Sequence, residues 1–313
     1  MNAKELREEF RRRNSVRGGA LLTFEGMDGY DVYNCSVPFA WQGERFLFGR
    51  VERREDFANS VTFLFRETGE DRYAPVDGAV VYPLEDPHVA FIGDEIILGG
   101  THVRKCRGRI DTFYGYYYRG RDLRFLSHFT CGPANMKDIR LVELPSGQVG
   151  VFTRPRNKQI ARKYGSEAVV GFAVLDSVDE LDSGVAGRAR VIEGLFDEGE
   201  WGGCNQCYAL RDGRIGVIGH RCYKENTPRG VLQVYLNISF IFDPATFAVS
   251  GMRVIGEKAS YPPTPYMLPY LEDCAFTSGI VMRPDGKADL YSGLGDVAQG
   301  RIVIDPPFGD LLQ

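Results

Sequence analysis

A five-copy repeat constrains the fold of this sequence more than any other feature. Each copy consists of a polar pair, an apolar strand, a turn with glycine, a second apolar strand, and then Gly or Thr beside cationic residues. The copies start at residues 34, 85, 138, 204 and 273, in steps of 51, 53, 66 and 69 residues. Each step accommodates four strands with loops and slightly exceeds the ~40–50 residues of common propeller repeats. The repeat therefore predicts a five-bladed β-propeller.

The rest of the sequence also favours β structure. The chain has 20 Phe, 16 Tyr and 37 Gly, and after Arg17 short apolar runs alternate with turns of Gly, Asp, Asn and Pro. That mixture is typical of strands joined by short turns. Beyond the N-terminus, helical spacing is confined to residues 158–163 and 176–181. We predict an all-β chain, with an irregular β-sandwich as the alternative fold.

The N-terminal segment carries the signals of a short helix. Asn2 and, three residues later, Glu5 form a capping box, which satisfies backbone N–H groups at a helix start. The charged segment 5–13 offers only Leu6 and Phe10 at helical spacing for packing. We predict a surface helix that these two side chains dock onto the domain.

The change of pattern after residue 17 gives the predicted domain organisation. A length of 313 residues suits one large domain or two ordinary ones. Residues 1–17 are predicted as a helical extension and residues 18–313 as a single propeller domain. Residues 18–26 offer a strand that closes the ring with the last blade, which favours one domain.

Charge and composition exclude several classes of partner. Lys and Arg total 38 against 42 Asp and Glu, a net charge of −4, which argues against nucleic acid and against a membrane surface. No apolar run approaches the ~20 residues of a membrane helix, and the N-terminus lacks the apolar segment of a secretory signal. Seven cysteines are too sparse for a disulfide scaffold, so we expect a reducing, cytoplasmic location.

Two cysteines, Cys204 and Cys207, have the spacing of a zinc-binding pair. A structural zinc site needs four ligands, and only Cys222 and His220 lie near them in the sequence. We therefore predict free thiols in the channel wall and no metal.

The repeat also predicts where a functional site lies. The innermost strand of each propeller blade lines the central channel, so the polar pairs should meet at one axial funnel. The converging polar residues are Asn34, Asp86, Asp138, Asn205 and Asp273. The cationic residues expected near the same rim are Arg50, His102, Arg154, Arg156, His220 and Arg221.

Carboxylates beside several Arg and His side chains suit a sugar together with a phosphate. Arginine binds phosphate oxygens with two parallel hydrogen bonds, and a carboxylic acid protonates the leaving oxygen of a glycoside. Inverting hydrolysis needs a second carboxylate as base, with the two groups ~6.5–9.5 Å apart. Phosphorolysis needs only the acid, because phosphate is itself the nucleophile. One acid with many cations therefore favours phosphorolysis.

Five segments resemble, in the same order, the motifs of a known enzyme family. The segments are Leu84–His88, Met136–Asp138, Phe152–Pro155, Ile218–His220 and Tyr291–Asp296. They resemble the Glu-Asp-Pro-Arg, Lys-Asp, His-Arg-Pro, Tyr-His-Gly and Tyr-Gly-Ala-Ala-Asp motifs of glycoside hydrolase family 130, the β-mannoside phosphorylases. The resemblance runs from about residue 30 to 305, nearly the whole chain.

The details are more similar to a related group. His88 stands where family 130 has Arg, and the segment Cys204–Cys207 replaces a Gly/Pro-rich run. With the length and the opening Asp31–Asn34, these features resemble the β-1,2-mannosyltransferase/phosphorylase family, glycosyltransferase family 108. Its members are five-bladed propellers that move mannose between mannose-1-phosphate or GDP-mannose and β-1,2-mannan chains.

The resemblance implies roles for the residues at matching positions. Asp86 matches the general acid, whose proton is relayed through a hydroxyl group of the mannose. Arg154 and His220 match phosphate-binding positions, to which the repeat geometry adds Arg50, Arg156 and Arg221. The expected sugar-binding residues are Asn34, Lys137, Asp138, Asn205, Asp273 and Asp296. Inorganic phosphate is the co-substrate, and no cofactor is implied.

From the residues alone, these side chains also have structural explanations. Asp86 precedes a proline, as at the start of many turns, and Asp138 suits a turn cap. His220 on an apolar strand suits a satisfied core histidine, and Arg154 suits an ion-pair partner. The aromatic run Phe113–Tyr118 favours an outer or middle strand over a platform for sugars.

The sequence thus predicts an inverting β-1,2-mannoside phosphorylase that also runs in reverse as a mannosyltransferase. Its expected partners are mannose, α-mannose-1-phosphate and β-1,2-manno-oligosaccharides, and a homo-oligomer is compatible with the sequence. Two alternatives stay open. One is a hydrolase with Asp273 or Glu272 as the base opposite Asp86, and the other is a non-catalytic glycan-binding propeller. The sequence does not decide whether GDP-mannose is a donor.

Overall fold

The computed structural model of the chain describes residues 1–53, 55–56, 59–107 and 109–312. Gln313, which ends the predicted domain, lies outside the described residues. The strands form five sheets that follow one another along the chain, and the inner strands of consecutive sheets contact one another. The prediction of an all-β, five-bladed β-propeller with a short N-terminal helix is therefore confirmed.

The elements follow the predicted repeat. Helix α1 (Ala3–Arg13) and strands β1 (Gly19–Leu21) and β2 (Thr23–Phe24) precede the first blade. Blade 1 consists of β3 (Asp31–Tyr33), β4 (Phe39–Trp41), β5 (Glu44–Glu52), β6 (Val61–Gly69) and β7 (Arg72–Pro75). Blade 2 consists of β8 (Glu85–Ile92), β9 (Glu95–Cys106), β10 (Arg109–Gly120) and β11 (Ser127–Cys131).

The remaining three blades complete the ring. Blade 3 consists of β12 (Arg140–Glu143), β13 (Val149–Thr153), β14 (Gly171–Leu175) and β15 (Arg190–Val191), with α2 (Lys158–Tyr164) and α3 (Val185–Arg188) in its connections. Blade 4 consists of β16 (Trp201–Ala209), β17 (Ile215–Thr227), β18 (Gly230–Phe242) and β19 (Val249–Gly256). Blade 5 consists of β20 (Ala275–Met282), β21 (Ala288–Leu294) and β22 (Ala298–Ile304). Short 3₁₀ turns occupy Val178–Glu180, Lys258–Ser260, Pro269–Leu271 and Gly309–Leu311.

The N-terminal strands join the last blade to the first. β1 pairs antiparallel with β22, with Gly19 opposite Ile302, and becomes the outermost strand of blade 5. β2 then pairs with β7 of blade 1. The strand predicted within residues 18–26 therefore closes the ring, while the division into residues 1–17 and 18–313 stays a prediction.

Helix α1 has the predicted cap and packing. The Asn2 side chain accepts from the Glu5 N–H at 3.0 Å, and the Glu5 carboxylate accepts from the Asn2 N–H at 2.9 Å. Leu6 and Phe10 are buried, as expected, and so is Arg7, which the sequence did not single out. No helix in the described part of the chain is long and apolar enough to cross a membrane.

The core lies between the faces of neighbouring blades. Phe152 and Phe172 of blade 3 pack against Phe242 of blade 4, with ring centroids 4.9–5.5 Å apart. Burying one such side chain contributes about 1.5–3 kcal/mol to folding. The same arrangement between blades 1 and 2 includes Phe48 and Tyr82. This packing fixes the angles between blades and therefore the positions of the inner strands.

The aromatic run Phe113–Tyr118 lies in β10, the third strand of blade 2, so the prediction of an outer or middle strand is confirmed. Tyr117 is fully buried, whereas Tyr116 on the other face is half-buried and stacks on His102 with ring centroids 4.5 Å apart. The alternation follows from the two-residue period of a strand.

Candidate active site

Three polar residues of the repeat share an unusual backbone conformation. Asn34, Asp86 and Asp138 have φ angles of 46°, 49° and 61°, in the left-handed region. Asn and Asp adopt this region more readily than most residues with a Cβ, because their short polar side chains bond locally. Asn34 lies between β3 and β4, Asp86 in β8, and Asp138 just before β12. All three side chains line one pocket at the axis.

This pocket brings most of the predicted site residues together. Its cavity volume is about 90 Å³, and the space out to the open mouth is about 440 Å³. The predicted residues on its wall are Asn34, Arg50, Asp86, Lys137, Asp138, Arg154, His220 and Asp296. The wall also contains Tyr235, Leu271, Cys274 and Phe276. Carboxylates, cations and an apolar surface therefore face the same space.

Asp86 is the centre of the first charged group. Its Oδ1 accepts hydrogen bonds from Arg50 Nη1 at 3.0 Å and from Asn34 Nδ2 at 2.9 Å, and Lys137 Nζ lies 3.7 Å from Oδ2. Burial alone would raise the pKa of this carboxyl, but Arg50 and Lys137 outweigh burial, so its pKa lies below the ordinary value. Asp86 is therefore an anion at neutral pH in this arrangement.

The second charged group contains Asp138 and Arg154. Arg154 Nη1 donates to Asp138 Oδ2 at 2.6 Å, and Arg154 Nε donates to the Gly202 carbonyl at 2.6 Å. Burial would raise the pKa of Asp138, but Arg154 and Arg140 together hold it well below its usual range. Asp138 Oδ1 has no hydrogen-bond partner among the described residues. It is available to accept from a ligand.

His220 lies beside this second group as a neutral side chain. Burial, reinforced by Arg154, lowers the pKa of His220 to about 3. Its Nδ1 lies 2.7 Å from Asn205 Oδ1, and its Nε2 has no partner within the described part of the chain. The rings of Tyr235 and Phe276 pack against the imidazole, with centroids 5.9 and 5.1 Å away. The amide of Asn205 therefore determines which ring nitrogen carries the proton.

Asn34 links Asp86 to a second carboxylate, Asp296. Asn34 Nδ2 also donates to Asp296 Oδ1 at 3.3 Å, and burial raises the pKa of Asp296 despite the nearby Arg50. A Cβ on Gly293 would lie 1.9 Å from Asn34 Oδ1, so this close approach requires glycine. Gly293, in the segment Tyr291–Asp296, thus has a packing role beside the carboxyl groups.

Two predicted site residues lie outside the pocket wall because they have charged partners elsewhere. Asp273, predicted to bind sugar, accepts from Arg7 Nη2 of α1 at 2.6 Å. Arg221, predicted to bind phosphate, donates through Nε to Glu200 at 2.6 Å. The structure does not bring either side chain to the pocket, since a buried charge stays with its counter-ion.

Three further predicted residues also lie off the pocket wall. Asn205 occupies a bulge of β16 behind His220 and bonds to that imidazole, so it contacts the pocket only through His220. Arg156 follows the end of β13 and is exposed. His102 lies beside the aromatic run of β10 in blade 2, and its Nδ1 is 3.0 Å from the Pro83 carbonyl.

Sequence reasoning missed several wall residues. Cys274 and Phe276 follow the fifth polar pair, so extending that copy along its strand would have found them. Tyr235 lies in the third strand of blade 4, which the two-strand repeat does not cover. Arg140 is not on the wall but lies 3.6 Å from the wall residue Asp138, and its charge was its only signal in the sequence.

The described residues contain no group of three or more His, Cys, Asp or Glu side chains that could hold a metal ion. Cys204 and Cys207 are buried free thiols. Burial raises the pKa of Cys204, which keeps it protonated and makes it a poor ligand.

Comparison with known proteins identifies relatives across the whole fold. A family model described as "Protein of unknown function (DUF1861)" matches residues 8–310. A mannose phosphorylase from Leishmania mexicana, solved in complex with phosphate ion, is 46% identical with a TM-score of 0.91, over 97% of this chain and 93% of that chain. A GDP-Man-dependent mannosyltransferase from Leishmania mexicana is 42% identical with a TM-score of 0.90, over 98% and 95%.

A more distant structure shares the fold. The β-1,2-mannobiose phosphorylase from Listeria innocua is 14% identical with a TM-score of 0.61, over 89% of this chain and 91% of that chain. No curated protein matches the sequence. The predictions of the family and of an enzyme of the phosphorylase and glycosyltransferase class are confirmed. The chain belongs to the DUF1861 family and to the mannosyltransferase/phosphorylase family of these two Leishmania enzymes, the family that its motifs resemble.

Proposed function

We propose that this protein is an inverting β-1,2-mannoside phosphorylase that also transfers mannose from α-mannose-1-phosphate to a mannose or β-1,2-manno-oligosaccharide acceptor. One observation carries the proposal: the buried acid Asp86, the cation Arg154 and the neutral imidazole of His220 face one pocket. The relatives that carry phosphate ion or depend on GDP-Man support a mannosyl donor with a phosphate group.

The reaction balances with phosphate as the nucleophile. A phosphate oxygen attacks C1 of the terminal β-mannose while the bond from C1 to the leaving oxygen breaks. Asp86, which takes up a proton when phosphate binds beside its cations, gives that proton to the leaving oxygen through a mannose hydroxyl group. A general acid of this kind contributes about 10²–10⁴-fold. Attack from the opposite face inverts C1 and gives α-mannose-1-phosphate and a shortened acceptor.

The second charged group is the proposed phosphate site. Nε and Nη1 of Arg154 are engaged, while its Nη2 has no hydrogen bond within the described residues. Arg154 and His220 both line the pocket, and the unpartnered Nε2 of His220, an acceptor while Nδ1 donates to Asn205, suits the P–OH group of hydrogen phosphate. Arg50 and Lys137, which hold Asp86, add positive charge nearby. The three cations of the wall, Arg50, Lys137 and Arg154, can make charge-assisted hydrogen bonds to phosphate.

Unpaired buried acceptors support a sugar beside the phosphate. Asn34 Oδ1 and Asp138 Oδ1 are buried without hydrogen bonds in the described part of the chain. Buried polar atoms are rarely left unpaired, and hydroxyl groups of a bound mannose would satisfy them. Phe276 and Tyr235 offer an apolar surface to the ring of the sugar. Asp296 and Lys137 are further candidates for hydroxyl contacts.

The hydrolase alternative finds less support. Its candidate bases were Asp273, which is paired with Arg7, and Glu272, which is paired with Arg229 at 3.0 Å. Neither residue is on the pocket wall. The wall carries two other carboxyl groups, Asp138 and Asp296, but also the cations Arg50, Lys137 and Arg154, which favour phosphate over an activated water as the nucleophile.

Three parallel incubations separate the candidate functions. The protein is mixed with α-mannose-1-phosphate and mannose, and free phosphate is measured; the reverse arm uses β-1,2-mannobiose with inorganic phosphate. A parallel arm measures GDP release from GDP-mannose. Mannose release without phosphate would indicate the hydrolase, and binding without turnover would indicate a glycan-binding protein. Full activity with EDTA would support a reaction that needs no metal cofactor.

A further inference from the structure

The N-terminal helix contacts blades 4 and 5 through one buried cation. Arg7 of α1 is 7% exposed. Its Nε donates to Glu257 at 2.5 Å, its Nη2 to Asp273 at 2.6 Å and its Nη1 to the hydroxyl of Tyr223 at 2.9 Å. Because the guanidinium is planar, three partners on three of its nitrogens fix its orientation.

Asp273 belongs to the structure behind His220. Its carbonyl accepts from the Tyr235 N–H at 3.0 Å, and Tyr235 forms a parallel bridge with Cys274. Tyr235 and Cys274 both line the pocket. The ring of Tyr235 lies nearly parallel to the imidazole of His220, at an angle of 25°. One series of contacts therefore leads from Arg7 through Asp273 and Tyr235 to His220.

The start of α1 makes a second contact with the same region. The Ala3 N–H donates to Glu200 Oε1 at 2.6 Å, and the other oxygen of Glu200 accepts from Arg221 Nε at 2.6 Å. Arg221 directly follows His220 in β17. Both contacts of α1 thus end at the segment that carries His220.

We propose that Arg7 is a positioning residue for the phosphate side of the pocket. It holds Asp273 in place, Asp273 holds Tyr235, and Tyr235 keeps the imidazole of His220 at a fixed position and angle. The identity of the anion rests on the proposed function, but the position of His220 does not.

The charges explain why Arg7 matters more than its neighbour Arg11. Within the described residues, Arg7 is the only ion-pair partner of Asp273, whereas Glu257 also binds Arg11 at 2.7 Å. Without Arg7, the carboxylate of Asp273 is left largely buried and unpaired beside the Glu257 carboxylate. We expect it to turn toward water and to move the backbone that supports Tyr235.

The test compares Arg7→Met with Arg11→Met. We expect Arg7→Met to raise the KM for phosphate about tenfold, since small displacements of a binding group are costly, and to leave kcat within about twofold. The imidazole ¹⁵N resonances of His220, one of only 4 histidines, should shift as well. Arg11 contacts the same Glu257 but not Asp273. Arg11→Met should therefore change neither the KM for phosphate nor the His220 resonances.

The outcomes are distinguishable. An Arg7→Met protein with unchanged phosphate KM and unchanged His220 resonances overturns the proposal. If the wild type turns over no phosphate, the proposed function fails, while the His220 resonances still test the positioning role. If Arg7→Met does not fold, Asp273→Asn keeps the shape and removes the charge. The Asp273→Asn variant must then shift the same His220 resonances, and unchanged resonances would overturn the role of Arg7.

Discussion

The guanidinium of Arg154 donates to the carboxylate of Asp138 across 2.6 Å, and both side chains are almost completely buried. The second bond of Arg154, from Nε to the Gly202 carbonyl, leaves it little freedom. A cation that is already oriented loses little entropy when it binds an anion. The pair thus offers Nη2 of Arg154 as a preoriented donor at the pocket.

Replacing Arg154 tests the phosphate site. Charge-assisted hydrogen bonds contribute roughly 1.5–3 kcal/mol each, so Arg154→Ala should raise the phosphate concentration for half-maximal rate about tenfold or more. The change also leaves Asp138 buried without its partner, at a cost of about 3–5 kcal/mol in folding stability, so rates are measured well below Tm. The control is Arg156→Ala, which removes an exposed arginine from the same segment. Equal phosphate dependence in the two variants would contradict the assignment.

Replacing Asp86 tests the acid. Asp86→Asn keeps the shape but cannot supply the proton, so synthesis and phosphorolysis of β-1,2-mannosides should fall about 10²–10⁴-fold while mannose still binds. Turnover and calorimetric mannose binding are measured on the same preparation. Asp94→Asn, in an exposed turn of the same blade, should leave both unchanged. Near-normal turnover of Asp86→Asn would mean that another group supplies the proton.

Phosphate binding should be coupled to proton uptake. Arg50 and Lys137 overcome the effect of burial and hold the pKa of Asp86 below its ordinary value, so this carboxyl has no proton at neutral pH. A phosphate anion beside these cations raises that pKa, and the acid becomes protonated in the complex. Titration with phosphate in two buffers of different ionisation enthalpy measures the uptake. Because phosphate itself also ionises near neutral pH, the two proteins are compared. We expect Asp86→Asn to take up fewer protons than the wild type, and equal uptake by the two proteins would refute the coupling.

His220 should make the fold sensitive to acid. Its pKa falls from 6.5 to about 3 on burial, so between these values the unfolded chain binds more protons than the folded chain. Stability that is present at neutral pH is therefore lost as the pH falls through this window. His220→Gln removes this contribution. Thermal unfolding at several pH values should show a smaller loss of Tm on acidification for the variant, and parallel curves would exclude the effect.

The sequence predicts the fold and half of the site because both depend on local patterns. Asn34, Asp86 and Asp138 are residue types that adopt a left-handed backbone, and each belongs to the polar pair of its repeat copy, so the repeat itself brings them together. Arg154 and His220 occupy equivalent places on the second strands. These five residues can be placed without knowing which distant side chains form ion pairs with one another.

The rest of the site depends on partners that are distant in the sequence. Asp273 has the same repeat position as Asp86, but Arg7 draws it away from the axis. Arg221 pairs with Glu200 in the same way. A repeat does not encode which charges meet, and an arginine on a charged helix gives no sign that it will be buried. The burial and the ion pairs of Arg7 therefore follow only from the way α1 packs against blades 4 and 5.

Ring closure through β1 and β22 has a consequence for synthesis. Gly19 emerges from the ribosome long before Ile302, its partner in the sheet. Until β22 is available, blade 5 lacks two of its strands, and unfinished chains expose unpaired strand edges, which favour aggregation. We therefore expect nascent chains of this protein to depend on chaperones until translation has passed the final strand.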